Sequence, residues 1–178
     1  MSYSKVYEGW KTDPEAFWME TAEAIDWVEK PSRALNDDNA PLYEWFTDAK
    51  VNGCYNAVDR HVEAGNGDRL AIIYDSPITG TQEKITFADL QTRVASLAGA
   101  LAAKGIEKGD RVIIYMPMVP QALESMLACA RLGITHNVVF GGFSAEALRD
   151  RINDSQSKIL ITADGGFRRG TIVPLKKN

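Results

Sequence analysis

From residue 68 onward the spacing of apolar positions switches repeatedly between two periods. Leu70-Ala-Ile-Ile-Tyr74 is a short apolar run, and Glu83 to Thr86 returns after a turn over Asp75 to Gln82, which predicts a β-hairpin. Leu90, Val94, Leu97 and Leu101 then recur at helical spacing. Thr86-Phe-Ala-Asp89 starts that helix with a capping-box-like pattern, and Gly105 closes it. Asp110 to Met116, carrying Arg111-Val-Ile-Ile-Tyr115, predicts a buried strand. A helix follows from near Pro120 to Gly133, then a strand over Thr135 to Phe140. Next come a helix capped by Ser144 with Glu146 in its first turn, and a strand over Lys158 to Thr162. Strands alternating with helices of this length predict an α/β fold class: βαβ units forming a parallel sheet flanked by helices.

The first 60 or so residues follow a different pattern. All four tryptophans lie there, Trp10, Trp18, Trp27 and Trp45. Asp13-Pro14-Glu15 predicts a helix start, continuing through Phe17, Trp18 and Ala22 to Ile25. Residues 29–41 are polar and turn-rich and predict an irregular arm. Asn52-Gly53 is a turn signal, and Asn56 to Val62 a further short helix. Too few regular elements are present to bury a separate core. Residues 1–62 are therefore expected to form a helical and irregular cap across a body that begins at residue 63, with the tryptophans packing one onto the other.

Ligands of parallel sheets collect at the carboxyl ends of the strands. Two glycine-rich turns are expected there: Gly141-Gly142, between a strand and the helix capped by Ser144, and Gly165-Gly-Phe-Arg-Arg-Gly-Thr171. For Gly141-Gly142, one reading is close approach of a ligand's phosphate or pantetheine arm to bare backbone. The other is a tight turn that needs positive φ and close packing. The pattern is neither a dinucleotide fingerprint nor a Walker loop. Arg168 and Arg169 offer guanidinium forks suited to phosphate oxygens, and Lys176 and Lys177 add positive charge nearby. The alternative there is a solvated basic loop.

Composition removes several classes of function. Hydrophobic residues make up 45% of the chain, too many for a disordered segment. A net charge of −4 argues against nucleic acid as a partner. No apolar run approaches the ~20 residues of a membrane helix, so no membrane partner is expected. The first residues, Met1-Ser-Tyr-Ser-Lys-Val-Tyr-Glu8, lack both a signal core and the Arg-rich look of a transit segment. Cys54 and Cys129 fit no metal spacing, and a reducing, cytoplasmic setting is expected. His61 and His136 have no partner at ligand spacing. No acid cluster, Ser-His-Asp or Cys-His pattern stands out, so no catalytic residue and no metal ligand is assigned.

Several stretches together resemble the N-terminal part of the short-chain, AMP-forming acyl-CoA synthetases, the group of acetyl- and propionyl-CoA synthetases. They are Pro14-Glu-Ala-Phe-Trp18, Cys54-Tyr-Asn-Ala-Val-Asp-Arg-His61, Gly109-Asp-Arg-Val-Ile-Ile-Tyr-Met-Pro-Met118, Leu127-Ala-Cys-Ala-Arg-Leu-Gly133, Val138-Val-Phe-Gly-Gly-Phe-Ser144 and Ile161-Thr-Ala-Asp164. The form of residues 54–60, with Ile73-Tyr-Asp-Ser-Pro77 after it, leans toward propionyl-CoA synthetases.

The resemblance implies a fold, a reaction and a site. It makes residues 63–178 the first, incomplete part of an AMP-binding domain. The implied enzyme uses ATP, Mg²⁺ and CoA: a short carboxylate forms an acyl-adenylate, and the CoA thiol then displaces AMP. Carried over by position, the two glycine turns border CoA through Gly142, Arg168, Arg169, Gly170 and Thr171, with Arg168 the sharpest contact to phosphate. At Thr171 many acetyl-CoA synthetases have a second arginine; Arg169 offers a guanidinium two positions away. The family's Thr/Ser/Gly-rich loop ending in Pro-Lys does not occur in these residues. The chain is therefore expected to be a piece of a longer ligase, inactive in adenylation, with weak or no CoA binding and no tightly held cofactor. A cut-off sheet is expected to expose an edge or an apolar face to a further copy.

Overall fold

A computed structural model of the chain describes residues 2–177. It divides into two compact units, Met1–Asn52 and Gly53–Asn178.

The first unit opens with helix α1 (Tyr3–Thr12), which the sequence reading omits. Its signal is present: Tyr3, Tyr7 and Trp10 stand at i, i+4 and i+7, and their rings meet in series at 5.8 and 5.7 Å. Helix α2 (Pro14–Ala22) starts as expected, with the Asp13 carboxylate accepting the Ala16 N–H at 2.9 Å. It ends three residues before Ile25, where the Ala22 carbonyl accepts the Trp27 indole N–H at 2.8 Å. The supposed irregular arm forms short antiparallel ladders. Strand β1 (Trp27–Glu29) pairs with β4 (Lys50–Val51), and β2 (Leu35–Asn36) with β3 (Glu44–Trp45). Trp18 meets Trp45 edge-on at 5.4 Å, and Trp27 packs on Phe46 at the same distance.

In the second unit Gly53 is already helical rather than part of a turn, and the helical segment has π-helical turns at Tyr55–Asp59 and Val62–Asn66, the last broken by Gly65 at a φ of 79°. Strands β5 (Leu70–Ser76) and β6 (Thr81–Thr86) form the hairpin, with longer strands and a tighter turn than expected. Helix α3 (Phe87–Ala103) begins with a full capping box: the Thr86 hydroxyl accepts the Asp89 N–H, and the Asp89 carboxylate accepts the Thr86 N–H. Then follow β7 (Arg111–Met116), α4 (Pro120–Leu132), β8 (Thr135–Phe140), α5 (Ala145–Ser155) and β9 (Ile159–Thr162).

The three strands form a parallel sheet in the order β8-β7-β9, so the fold class is α/β as expected. The apolar run of β7 is continuous because both its faces are covered. Val112 and Ile114 join the core beneath α3 and α4. Ile113 and Tyr115 join a second core with Val139, Leu148 and Leu175. All four β7 side chains are fully buried. Helix α5 carries the chain from β8 past β7 to β9, so the ends of β8 and β9 flank the end of β7.

Candidate functional site

The strand order creates a cleft of about 360 Å³ at the carboxyl ends of the three strands. Met116 to Val119 come from the end of β7, and Phe140 to Gly142 from the end of β8. Gly165 to Arg168 come from the segment after β9, with Leu175 behind. The rest of the lining comes from the β5–β6 hairpin. Arg168 is the single charged residue of the lining, and no carboxylate is present.

Gly141 and Gly142 are the central residues of a turn closed by a hydrogen bond from the Phe143 N–H to the Phe140 carbonyl at 3.0 Å. Neither adopts positive φ, so the conformational reading of these glycines does not hold. Gly142 is needed for space: a Cβ there would lie 1.9 Å from Arg168 Nη1 and 2.7 Å from Phe140 Cε1. The Arg168 guanidinium donates to the Gly142 carbonyl at 2.9 Å and lies 5.3 Å from the centre of the Phe140 ring. The ring was absent from the sequence-derived set; it holds no titratable group, and only contact with Arg168 gives it a role. Helix α5 begins just beyond, where the Ser144 hydroxyl accepts the Ala147 N–H at 3.3 Å.

The second glycine-rich stretch is a strand pair rather than an open turn. Strands β10 (Gly166–Arg168) and β11 (Thr171–Val173) form a hairpin closed by Arg169 and Gly170, with φ of 49° and 80°. Positive φ at both loop positions is the twist that suits a two-residue hairpin, and glycine takes it without strain. Arg168 therefore projects from a strand, with its position set by register. The Thr171 hydroxyl donates to the Arg168 carbonyl at 3.0 Å, so Thr171 braces the hairpin end. Arg169 and Gly170 sit at the tip, outside the cleft lining. Lys176 lies 3.6 Å from Asp164, both well exposed, which offsets its charge. Of the residues singled out from the sequence, Gly142 and Arg168 touch, Thr171 supports Arg168, and the other two form the turn.

The described residues contain no group of three or more His, Cys, Asp or Glu able to hold a metal ion. The cleft lining carries no carboxylate or imidazole that could serve as a ligand to Mg²⁺.

Residues 58–177 match the family model described as AMP-binding enzyme, and residues 3–57 match that of the acetyl-coenzyme A synthetase N-terminus. The chain belongs to the AMP-binding enzyme family. Among its relatives is the acetyl-coenzyme A synthetase of Streptomyces avermitilis, 49% identical over 173 residues, covering 97% of this chain and 26% of that protein. That of Magnetococcus marinus is 48% identical over 178 residues, covering 99% and 28%. The mitochondrial acyl-CoA synthetase short-chain family member 3 of Bos taurus is 48% identical over 159 residues, covering 89% and 23%. The chain thus spans about a quarter of the length of the curated relatives it matches.

Proposed function

We propose that this chain supplies the CoA-facing wall of an AMP-forming acid–thiol ligase. In that reaction a short carboxylate oxygen attacks the α-phosphate of ATP, expelling pyrophosphate and leaving an acyl-adenylate. The CoA sulfur then attacks the acyl carbon, its proton is lost, and AMP leaves. Acetate is the acid favoured by the names of the relatives; propionate, toward which residues 54–60 lean, appears in none of the names above.

One observation carries the reading: the Arg168 guanidinium rests on Gly142 in a cleft that has no carboxylate. One N–H of the fork is taken by the Gly142 carbonyl, which orients the plane and leaves its other donors for phosphate oxygens. The missing side chain at Gly142 makes room for the guanidinium itself, which occupies the position a Cβ would take. CoA, with phosphates at its nucleotide end, fits this donor set. Gly142, Arg168, Arg169, Gly170 and Thr171 make up the proposed CoA set, with Arg169 reaching from the hairpin tip. The described residues hold no metal cluster, so no step is assigned to Mg²⁺ here.

Titration of the 178-residue chain with CoA, followed by NMR, tests this reading. Binding that is lost in Arg168→Ala supports it, and absence of any CoA-dependent shift overturns it. The chain alone is expected to make no acyl-CoA from ATP, carboxylate and CoA, because it lacks the Pro-Lys phosphate loop. Both cysteines are buried and unpaired, which favours a reducing compartment such as the cytoplasm. Among the described residues no helix is long and apolar enough to cross a membrane.

A further inference from the structure

Part of the cleft lining comes from an element that neither glycine turn belongs to. The β5–β6 hairpin contributes Ile78 and Thr79 from its turn, Pro77-Ile-Thr-Gly80, which closes beyond the Ser76–Thr81 pair. Proline and glycine suit such turns because they pre-set or permit the required φ, and the Thr79 hydroxyl donates to Thr81 at 2.9 Å. Ile78 contributes nothing of that kind. Its aliphatic side chain is 67% exposed at the cleft mouth. Met118, from the segment after β7, is 88% exposed and lines the same cleft. Phe140 and Phe167 of the same lining are exposed as well, so the guanidinium is bordered by an apolar patch of four large side chains, a surface suited to being covered by a ligand. Apolar walls combined with a few placed polar groups are typical of small-molecule sites, and here the polar group is the guanidinium of Arg168.

We infer that Ile78 and Met118 form an apolar lip that holds the uncharged arm of the ligand whose phosphate Arg168 receives. The lip makes the cleft prefer a phosphate ester bearing such an arm over a bare nucleotide phosphate. The inference rests on the CoA reading of the cleft and extends it to chemistry that Arg168 cannot select. A guanidinium binds any accessible phosphate, whereas the lip rewards only a ligand with uncharged length to lay across it. The flexible thioether of Met118 adapts to such an arm without a fixed shape.

The test compares two probes on the 178-residue chain with labelled Ile and Met methyl groups. One is CoA; the other is adenosine 3′,5′-bisphosphate, which keeps a nucleotide and phosphates but has no arm. CoA is expected to shift the Ile78 and Met118 methyl signals and the Arg168 side-chain N–H signal. The bisphosphate is expected to shift the Arg168 signal alone. Ile78→Ser should weaken CoA binding about fivefold, the loss of part of one buried aliphatic side chain, and leave the bisphosphate unchanged. Ile78 is exposed, so the variant keeps its fold, and an unchanged thermal midpoint verifies that. If both probes move Arg168 while the methyl signals stay fixed, or if Ile78→Ser weakens both probes equally, the lip is overturned. If neither probe moves any signal, the CoA reading itself fails and the lip falls with it.

Discussion

The Arg168 guanidinium fills the space that a side chain on Gly142 would need. The two residues stand 26 positions apart and are joined by a 2.9 Å hydrogen bond, Gly142 on the turn after β8 and Arg168 at the end of strand β10. The contact makes each residue's identity depend on the other.

Gly142→Ala should therefore act through Arg168. Its φ is not left-handed, so the backbone accepts alanine, but a Cβ 1.9 Å from Nη1 forces the guanidinium away. Stability is expected to fall by about 1 kcal/mol or less, because Arg168 is exposed. The Arg168 response to CoA should be lost. Gly141→Ala, whose new methyl would meet Leu175 at an ordinary 3.5 Å, should retain both. Thermal melts and the NMR titration compare the two; equal behaviour would contradict the contact.

Asp59 is expected to be the most sensitive polar position of the second unit. Its buried carboxylate accepts from Arg131 at 2.6 and 2.7 Å and from Gln91 at 2.8 Å, tying the π-helical segment to α4 and α3. Asp59→Ala leaves the guanidinium without its counter-charge and should cost about 3 kcal/mol. Urea denaturation reads the loss directly, and a cost below that of an ordinary surface substitution would refute the role.

The cysteines should resist alkylation while the chain is folded. Burial pushes the Cys129 thiol up to about 11, and burial likewise raises Cys54 against the opposing pull of Arg131. Both thiols are thus protonated and shielded at pH 8, where a free thiol would react through its thiolate. Mass spectrometry after iodoacetamide treatment should show unmodified native chain and two modifications after unfolding in urea.

Asp110 should contribute stability that acid removes. The Lys158 ammonium, 2.7 Å away, and the Glu107 N–H hold its carboxyl below the usual carboxylate range. A depressed folded value means the contribution is complete above the ordinary value of about 3.9 and is lost as pH falls through the lower, folded value. Asp110→Asn should be less stable than the parent at pH 7, and the difference should close as the pH drops below about 4. A difference that widens in acid would reverse the assignment.

The sheet edges predict self-association of the chain. Among the described residues neither β8 nor β9 carries a strand on its outer side, and Val138 and Leu160 on them are 50% and 40% exposed. Open edges pair with other strands, and a charge placed on one suppresses this. Sedimentation should show concentration-dependent association that Val138→Lys reduces.

Much of the second unit was legible along the chain because its determinants are local. The Thr86 capping box and the Ser144 cap each act within a few residues, and Gly133 closes α4 at a φ of 70°. The tip of the β10–β11 hairpin was missed because Arg169 is a non-glycine residue at positive φ, a conformation that pairing across the hairpin imposes. In the first turn the expected positive φ is absent at both glycines, whereas the close packing holds at Gly142, whose small size answers a side chain that arrives from elsewhere; no local pattern records which one.

The sequence by itself determined the elements from β5 to β9, their order and the residues able to meet a phosphate, since periodicity, caps and side-chain chemistry are properties of short segments. The tertiary structure alone decided that β8 and β9 flank β7. Backbone pairing is nearly indifferent to residue type, and burial of β7 on both faces selects the central strand. That order brings the ends of β8 and β9 to either side of Met116, so that Arg168 closes on Gly142 and Phe140, with Ile78 and Met118 at the mouth.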